Sequence, residues 1–148
     1  MAIPKRTSQT GTFFVTSATY NRRSLFQVPA NADLFIATMQ PYRHGGHYKQ
    51  HAFVVMPDHV HMLLTPQGIT LERAIGLIKG GFSHEIGSKL PVCQRGFTDH
   101  RVRDREESET RRQYNHDNPV RARIVAKAEL YPHSSAYRRP INKASLSG

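Results

Sequence analysis

Residues 48–65, YKQHAFVVMPDHVHMLLT, contain the clearest local pattern in the chain. Residues 48–56 end in an apolar run, and residues 59–65 alternate polar and apolar side chains. Only Pro57 and Asp58 separate the two segments. Two strand-like segments joined by two turn-forming residues predict an antiparallel β-hairpin. The turn type stays open, because Pro-Asp is not the Asn-Gly sequence that the tightest hairpins prefer.

Segments with helix or strand periodicity lie on both sides of this hairpin. Residues 12–19 predict a strand and residues 30–42 a helix with one buried face. After the hairpin we expect a helix over residues 71–89, capped by Thr70 and ended by Pro91, and a short strand over residues 96–103. A polar helix over residues 105–118 follows, Pro119 is expected to start a second helix that ends near residue 130, and the tail from residue 131 is expected to extend over the surface. This order predicts an α+β sandwich on an antiparallel sheet.

The composition is that of one small, basic domain. The chain has 148 residues and a formal net charge of +10, which suits a single core and excludes a multidomain enzyme. The excess of Lys and Arg favours a polyanionic partner, and a charge that serves only solubility is the alternative. A single cysteine, Cys93, excludes an intramolecular disulfide and is typical of a reducing cytoplasm. With no apolar run long enough for a bilayer and no signal-peptide pattern, we expect a cytoplasmic protein without a membrane partner.

The second hairpin strand contains the first candidate site. His59 and His61 share one face of a strand because side chains alternate, whereas Val60 between them points to the core. Two imidazoles so placed can bind one divalent cation. The chain has nine histidines, so such a pair arises easily by chance, and two surface histidines on an open sheet face are the alternative.

Tyr114 and Asn118 form the second candidate site, one helical turn apart on the same face. A tyrosine hydroxyl and a carboxamide oxygen at these positions could face one metal-bound phosphate. Tyrosine is a poor nucleophile at its usual pKa of about 10 and needs an activated electrophile. In the alternative interpretation Asn118 caps a helix that begins at Pro119, and Tyr114 is a partly buried surface aromatic.

Basic residues cluster near both candidate sites and alternate with aromatic or histidine side chains, as in residues 96–101. This pattern suits contacts to a DNA backbone combined with base stacking on a single strand, and a solvated basic face is the alternative. The candidate DNA-binding residues are Arg22, Arg23, Lys79, Arg95, Arg101, Arg103 and Arg121.

Five segments in consistent order resemble the HUH single-strand DNA transposases, and most closely their REP-associated tyrosine transposase branch. They are residues 20–26, 55–64, 94–103, 114–122 and 131–136, within a likeness that runs from residue 12 to residue 137. The tyrosine four residues before Asn-Pro is typical of this branch. The chain departs from the family at Asn115, usually apolar, at Arg123, usually glycine, and at Cys93 and His133, where tryptophan is common.

The resemblance implies a ferredoxin-like α+β fold with the histidine pair on a central strand and the tyrosine on a helix packed nearby. It also implies that His59, His61 and Asn118 bind Mg²⁺ or Mn²⁺. Tyr114 would attack a phosphodiester of single-stranded DNA, leaving a 5′-phosphotyrosine and a free 3′-hydroxyl. We expect one domain over residues 1–148 with flexible tails at 1–10 and 138–148, acting as a monomer or homodimer on hairpin-containing single-stranded DNA. A non-catalytic DNA-hairpin-binding module derived from a transposase and a hydrolytic metal nuclease are the alternatives.

Overall fold

A computed structural model describes residues 10–139 of the chain. Its strands and helices are β1 (Phe13–Ala18), α1 (Pro29–His44), β2 (Tyr48–Met56), β3 (His59–Pro66), α2 (Leu71–Ile86), β4 (Thr98–Arg101) and α3 (Arg105–Arg121). Short 3₁₀ turns lie at Tyr20–Arg22, Leu25–Gln27 and Ala128–Leu130. The flexible tails expected at both ends lie almost wholly outside the described residues.

The four strands form one sheet in the order β2-β3-β1-β4, and all neighbouring strands are antiparallel. Helix α1 connects β1 to β2, and β3 lies between these two strands in the sheet. Helix α2 connects β3 to β4, and β1 lies between those two strands. Two such interlocked split β-α-β units make a ferredoxin-like α+β sandwich. The predicted fold class is confirmed, and the hairpin of β2 and β3 has the predicted bounds to within one residue.

Helices α1 and α2 cover one face of the sheet and enclose the main core. Val60 and Met62 of β3 point into it, as predicted. Three phenylalanines, Phe26, Phe35 and Phe82, pack with ring centroids 5.2–5.5 Å apart between the two helices and the first 3₁₀ turns. This face contains most of the buried apolar side chains of the described residues.

Helix α3 and the tail cover the opposite face, where the apolar clusters are small. They contain Phe14, Ala52 and Leu63 beside one another, and Val54, Met56 and Tyr131 further along the sheet. In α3 itself the buried residues are Asn115 and Pro119. Polar contacts must therefore contribute much of the attachment of α3.

Two helix ends differ from the sequence-based expectation. Helix α2 ends at Ile86 rather than residue 89, because Gly87 adopts a left-handed conformation (φ 65°) and its N–H bonds to the Ser83 carbonyl. The expected second helix from Pro119 to residue 130 is wrong: α3 continues through Pro119 to Arg121. Pro119 has no N–H to donate to the Asn115 carbonyl, so α3 loses one hydrogen bond there, and the helix ends two residues later.

The tail was expected to extend over the surface. It instead pairs with the edge strand β2. The Val55 N–H donates to the His133 carbonyl at 2.8 Å, and the Ser135 N–H donates to the Phe53 carbonyl at 3.0 Å. The buried Tyr131 hydroxyl donates to the Val55 carbonyl at 2.5 Å. An edge strand has unpaired backbone groups, so the tail satisfies them and closes this edge. Within the described residues, no helix is long and apolar enough to cross a membrane.

Candidate metal and nucleophile site

His59 and His61 lie on the sheet face beneath α3, on the central strand β3. Their ring centroids are 4.7 Å apart. His61 is flanked in register by Thr16 of β1 and Val54 of β2. The shared face follows from strand alternation, as predicted, but the face is not open, because His61 is only 8% exposed.

Each histidine is oriented through its Nδ1 atom. His59 Nδ1 lies 2.7 Å from Asp58 Oδ1, and His61 Nδ1 lies 2.8 Å from Thr16 Oγ1. A carboxylate only accepts hydrogen bonds, so the Asp58 contact places the hydrogen of His59 on Nδ1 and leaves Nε2 free to bind a cation. Burial, with smaller effects from His59 and Arg121, lowers the pKa of His61 to about 3. His61 is therefore neutral at pH 7. The Thr16 hydroxyl can either donate or accept, and in the tautomer of His61 that donates to it, Nε2 is free as well.

The donor set fits a divalent cation with mixed nitrogen and oxygen ligands. Within residues 10–139, no cluster of three or more His, Cys, Asp or Glu side chains could hold a metal ion, so a third protein ligand would have to be of another type. Asn118 is half-buried in α3, and no hydrogen bond to its carboxamide is found in this part of the chain. Since Asn118 lies inside α3, it does not cap a new helix, and that alternative is excluded. A carboxamide oxygen suits Mg²⁺ or Mn²⁺.

Helix α3 brings Tyr114 to the histidine pair. The Tyr114 ring lies 6.3 Å from the His61 ring and 6.0 Å from the Phe14 ring. On its other side the Arg121 guanidinium lies 4.0 Å from the ring centroid and donates to the Tyr114 carbonyl at 2.7 Å. These neighbours fix the ring, whereas 46% of Tyr114 remains exposed and accessible to a substrate.

Polar contacts hold α3 at both ends. Asp104 caps its first turn by accepting from the Glu107 N–H at 2.8 Å. Glu107 in turn lies 3.1 Å from His100 of β4. Further along, His116 Nε2 lies 2.8 Å from Ser135 Oγ of the tail. The position of Tyr114 over the sheet thus depends on hydrogen bonds to β4 and to the tail more than on apolar burial.

A strained turn places a positive charge beside this site. Asn21 and Arg22 both have left-handed conformations, with φ of 53° and 54°, which cost about 1 kcal/mol each in residues other than glycine. Arg22 Nε lies 3.4 Å from Asp58 Oδ2, so the carboxylate that orients His59 also binds a guanidinium. The sequence analysis missed the orienting roles of Asp58 and Thr16. The position of Asp58 directly before the histidines was the one available indication.

The chain matches the family described as "Transposase IS200 like" over residues 10–102. It belongs to this transposase family. A REP-associated tyrosine transposase solved bound to a REP hairpin has a TM-score of 0.76 to the chain at 24% identity, covering 96% of this chain and 100% of its own. A crystal structure described as that of a transposase from Deinococcus radiodurans R1 has a TM-score of 0.55 at 18% identity, covering 77% of this chain and 95% of its own. These two similarities establish the fold, and no curated protein sequence matches the chain.

Three of the candidate DNA-binding residues of this IS200-like transposase lie around the histidine pair. Arg22 and Arg121 are close enough to lower the pKa of His61. Arg22 and Arg95 line a common cavity of about 520 Å³, together with Thr16 of β1. A phosphate at the histidine pair would meet positive charge from at least two directions.

The other candidate DNA-binding side chains of the transposase make contacts within the protein. Lys79 donates to the Gln94 and Gly96 carbonyls at 2.6 and 2.7 Å, and Arg23 donates to the Pro91 carbonyl at 2.6 Å. Arg103 pairs with Glu107 at 3.2 Å, and Arg101 lies beside Gly11 on the edge strand β4. These contacts leave Arg103 largely exposed, whereas Lys79 and Arg23 fix the loop that follows α2.

Proposed function

We propose that this transposase nicks and rejoins single-stranded DNA, with Tyr114 as the nucleophile. In this proposal His59, His61 and Asn118 hold Mg²⁺ or Mn²⁺. Transposases of this family are metal-dependent in general. The observation that supports the proposal most is the 6.3 Å separation of the Tyr114 and His61 rings, which belong to different elements of the fold.

The proposed reaction exchanges one phosphoester bond for another. The Tyr114 hydroxyl oxygen attacks phosphorus, and the bond from phosphorus to the 3′-oxygen breaks. The phosphate stays joined to the 5′-oxygen of the nucleotide downstream of the break and to Tyr114, the tyrosine proton passes to solvent, and the leaving 3′-oxygen takes up a proton. Attack by a 3′-hydroxyl on the phosphotyrosine reverses these changes and releases the tyrosine, so the strand is rejoined without another energy source.

The residues around Tyr114 have separate tasks in this scheme. A divalent cation at the histidine pair supplies Lewis-acid polarisation of the phosphate. Asp58 keeps His59 in the ligating tautomer. Arg121, whose guanidinium lies 4.0 Å from the Tyr114 ring centroid, holds the ring in position. Arg22 and Arg95 would bind the strand through its phosphates.

Hairpin-containing single-stranded DNA is the proposed substrate. The net charge of +10 favours a nucleic acid, and the structurally similar REP-associated tyrosine transposase was solved bound to a REP hairpin. Phosphate contacts alone do not select a sequence, so the hairpin shape and the unpaired bases beside it would do so.

A denaturing-gel assay tests the nucleophile and the metal together. Labelled oligonucleotides copied from the DNA that flanks the gene are incubated with protein and Mn²⁺ or Mg²⁺. We expect a covalent protein–DNA band with wild type and with Tyr42→Phe, whose tyrosine lies on α1 across the sheet. Tyr114→Phe should bind the same DNA without forming the band, and EDTA or His59→Ala should abolish the band.

The same gel separates the two alternatives. Cleavage without a covalent band in both wild type and Tyr114→Phe would indicate a hydrolytic metal nuclease. Hairpin binding without cleavage or covalent band, across all flanking oligonucleotides and both metals, would indicate a non-catalytic hairpin-binding module. Either result would reject Tyr114 as a nucleophile.

A further inference from the structure

A second cavity, of about 600 Å³, lies between α2 and the loop that follows it. This volume is within the range of about 300–1,000 Å³ that is usual for small-molecule sites. The segment 94–97 forms one wall of this α2 groove and also one wall of the cavity that Arg22 lines beside the histidine pair. The two cavities thus adjoin the same short segment, and Arg95 lines both.

The α2 groove is lined by glycines of α2 and by two aromatic side chains. Gly76 and Gly80, one helical turn apart, form part of the floor, and a Cβ atom at either position would meet nothing within 4 Å. Tyr20, which is 40% exposed, and Phe97 also line the groove. Glycine backbone without side chains leaves room in the groove for a planar ring, and aromatic side chains stack on nucleobases of any sequence.

The walls of the α2 groove are held in place by hydrogen bonds. Lys79, between the two glycines, donates to the Gln94 and Gly96 carbonyls and so fixes the wall segment to α2. The Tyr20 N–H donates to the Val92 carbonyl at 3.0 Å, which fixes the aromatic side to the same loop. A groove with fixed walls loses little conformational entropy when a ligand enters.

We propose that the α2 groove binds one unpaired base of the DNA strand whose phosphate lies at Tyr114, and so selects the sequence beside the cut. This inference rests on the proposed function. Arg22 and Arg95 would bind the backbone on the side of the histidine pair, and the next base would turn over segment 94–97 into the groove. Flipping an unpaired base costs little, since no base pair has to be broken. Among the groove-lining residues, which also include Glu72, the guanidinium of Arg95 matches a nucleotide's phosphate and the aromatic side chains match its base.

Abasic-site scanning combined with a filled groove tests this inference. Each unpaired position of the tightest-binding flanking oligonucleotide is replaced in turn by an abasic site, and affinity is measured for wild type and Gly80→Met. We expect one position at which the abasic site weakens wild-type binding about 10-fold, as the loss of one base–aromatic stack does. Gly80→Met should bind intact DNA about 10-fold more weakly and be insensitive to that abasic site.

Two further variants make the test specific. Ala37→Met introduces the same side chain at an exposed position of α1 and should retain the wild-type abasic profile. Tyr20→Leu removes an aromatic ring from the groove without filling it. The abasic site that weakens wild-type binding should therefore not weaken the binding of Tyr20→Leu.

The outcomes separate this inference from the proposed function. A wild-type abasic profile in both Gly80→Met and Tyr20→Leu, with normal covalent adduct, would overturn the base-binding groove alone. The inference would also be overturned if Gly80→Met lowered the affinity, relative to wild type, by the same factor on intact DNA and on every abasic oligonucleotide. The groove would then contact the DNA backbone or a protein rather than a base. Absence of both DNA binding and adduct in wild type would overturn both proposals.

Discussion

Asn115→Leu should stabilise the domain. The Asn115 side chain is fully buried in α3, and neither its oxygen nor its nitrogen has a hydrogen-bond partner in the described part of the chain. Leaving a buried polar group without a partner costs about 1–3 kcal/mol. Leucine has nearly the shape of asparagine, so the substitution removes the polar group without opening a cavity.

The expected gain is therefore about 1–3 kcal/mol in the free energy of unfolding. For a domain of this size, each kcal/mol raises Tm by roughly 2–4 °C. Urea and thermal unfolding in EDTA measure both quantities. Asn118→Leu is the matched control, because it makes the same change in the same helix at a half-buried position and should have a smaller effect.

An Asn115→Leu protein no more stable than wild type would refute this reasoning. It would mean that an ordered water or a rearranged side chain satisfies the carboxamide in the folded protein.

Three further substitutions have defined outcomes. Arg123→Gly should raise the free energy of unfolding by about 1 kcal/mol in urea titrations, because Arg123 has a φ of 60° and a left-handed conformation is costly for residues other than glycine. Burial, and then Arg112, lower the pKa of His116 in the folded protein. Below the usual histidine pKa of about 6.5, His116 therefore binds more protons in the unfolded chain than in the folded protein. Stability should therefore fall as the pH drops from 7.5 to 5.5, and His116→Gln should show a shallower fall in urea titrations at these pH values. Asp58→Asn should weaken Mn²⁺ binding about 10–100-fold in calorimetric titrations, because His59 loses its carboxylate partner.

Each of these substitutions has a control and a contrary result. Arg123→Ala keeps the unfavourable φ and should bring no gain, and equal gains from both variants would exclude backbone strain as the cause. An unchanged pH dependence in His116→Gln would show that other groups account for the fall. Asp33→Asn, on α1 across the sheet, should leave Mn²⁺ affinity unchanged, and an equal loss there would reject the specific role of Asp58.

Local patterns were enough to predict the elements on which the histidine pair stands. Alternation and a two-residue turn defined β2 and β3, and the same alternation placed His59 and His61 on one face. The end of α2 was missed because the left-handed conformation of Gly87 stops the helix earlier than Pro91 would. The path of α3 through Pro119 was missed because a proline is usual in the first turn of a helix and unfavourable after it, whereas here α3 continues for two residues beyond Pro119.

The partners of the site residues were beyond local patterns. Thr16 meets His61 only through the register of β1 against β3, which no short segment of sequence determines. The contact of Arg121 with the Tyr114 ring likewise depends on how α3 ends. The tail was expected at the surface because its polar residues suggested it, whereas Tyr131 and free backbone groups of β2 favour docking at the sheet edge.

The two faces of the sheet have different contents, since one contains the main apolar core and the other contains the candidate site. The face under α1 and α2 contains most of the apolar core, whereas the other face contains the histidines, the tyrosine and a helix with little apolar burial. Substitutions of these histidines or of the tyrosine can therefore accumulate on one face while the domain continues to fold. A gene copy no longer selected for transposition would still encode a stable basic protein, from which a host could evolve a DNA-binding factor with little prior change to its core.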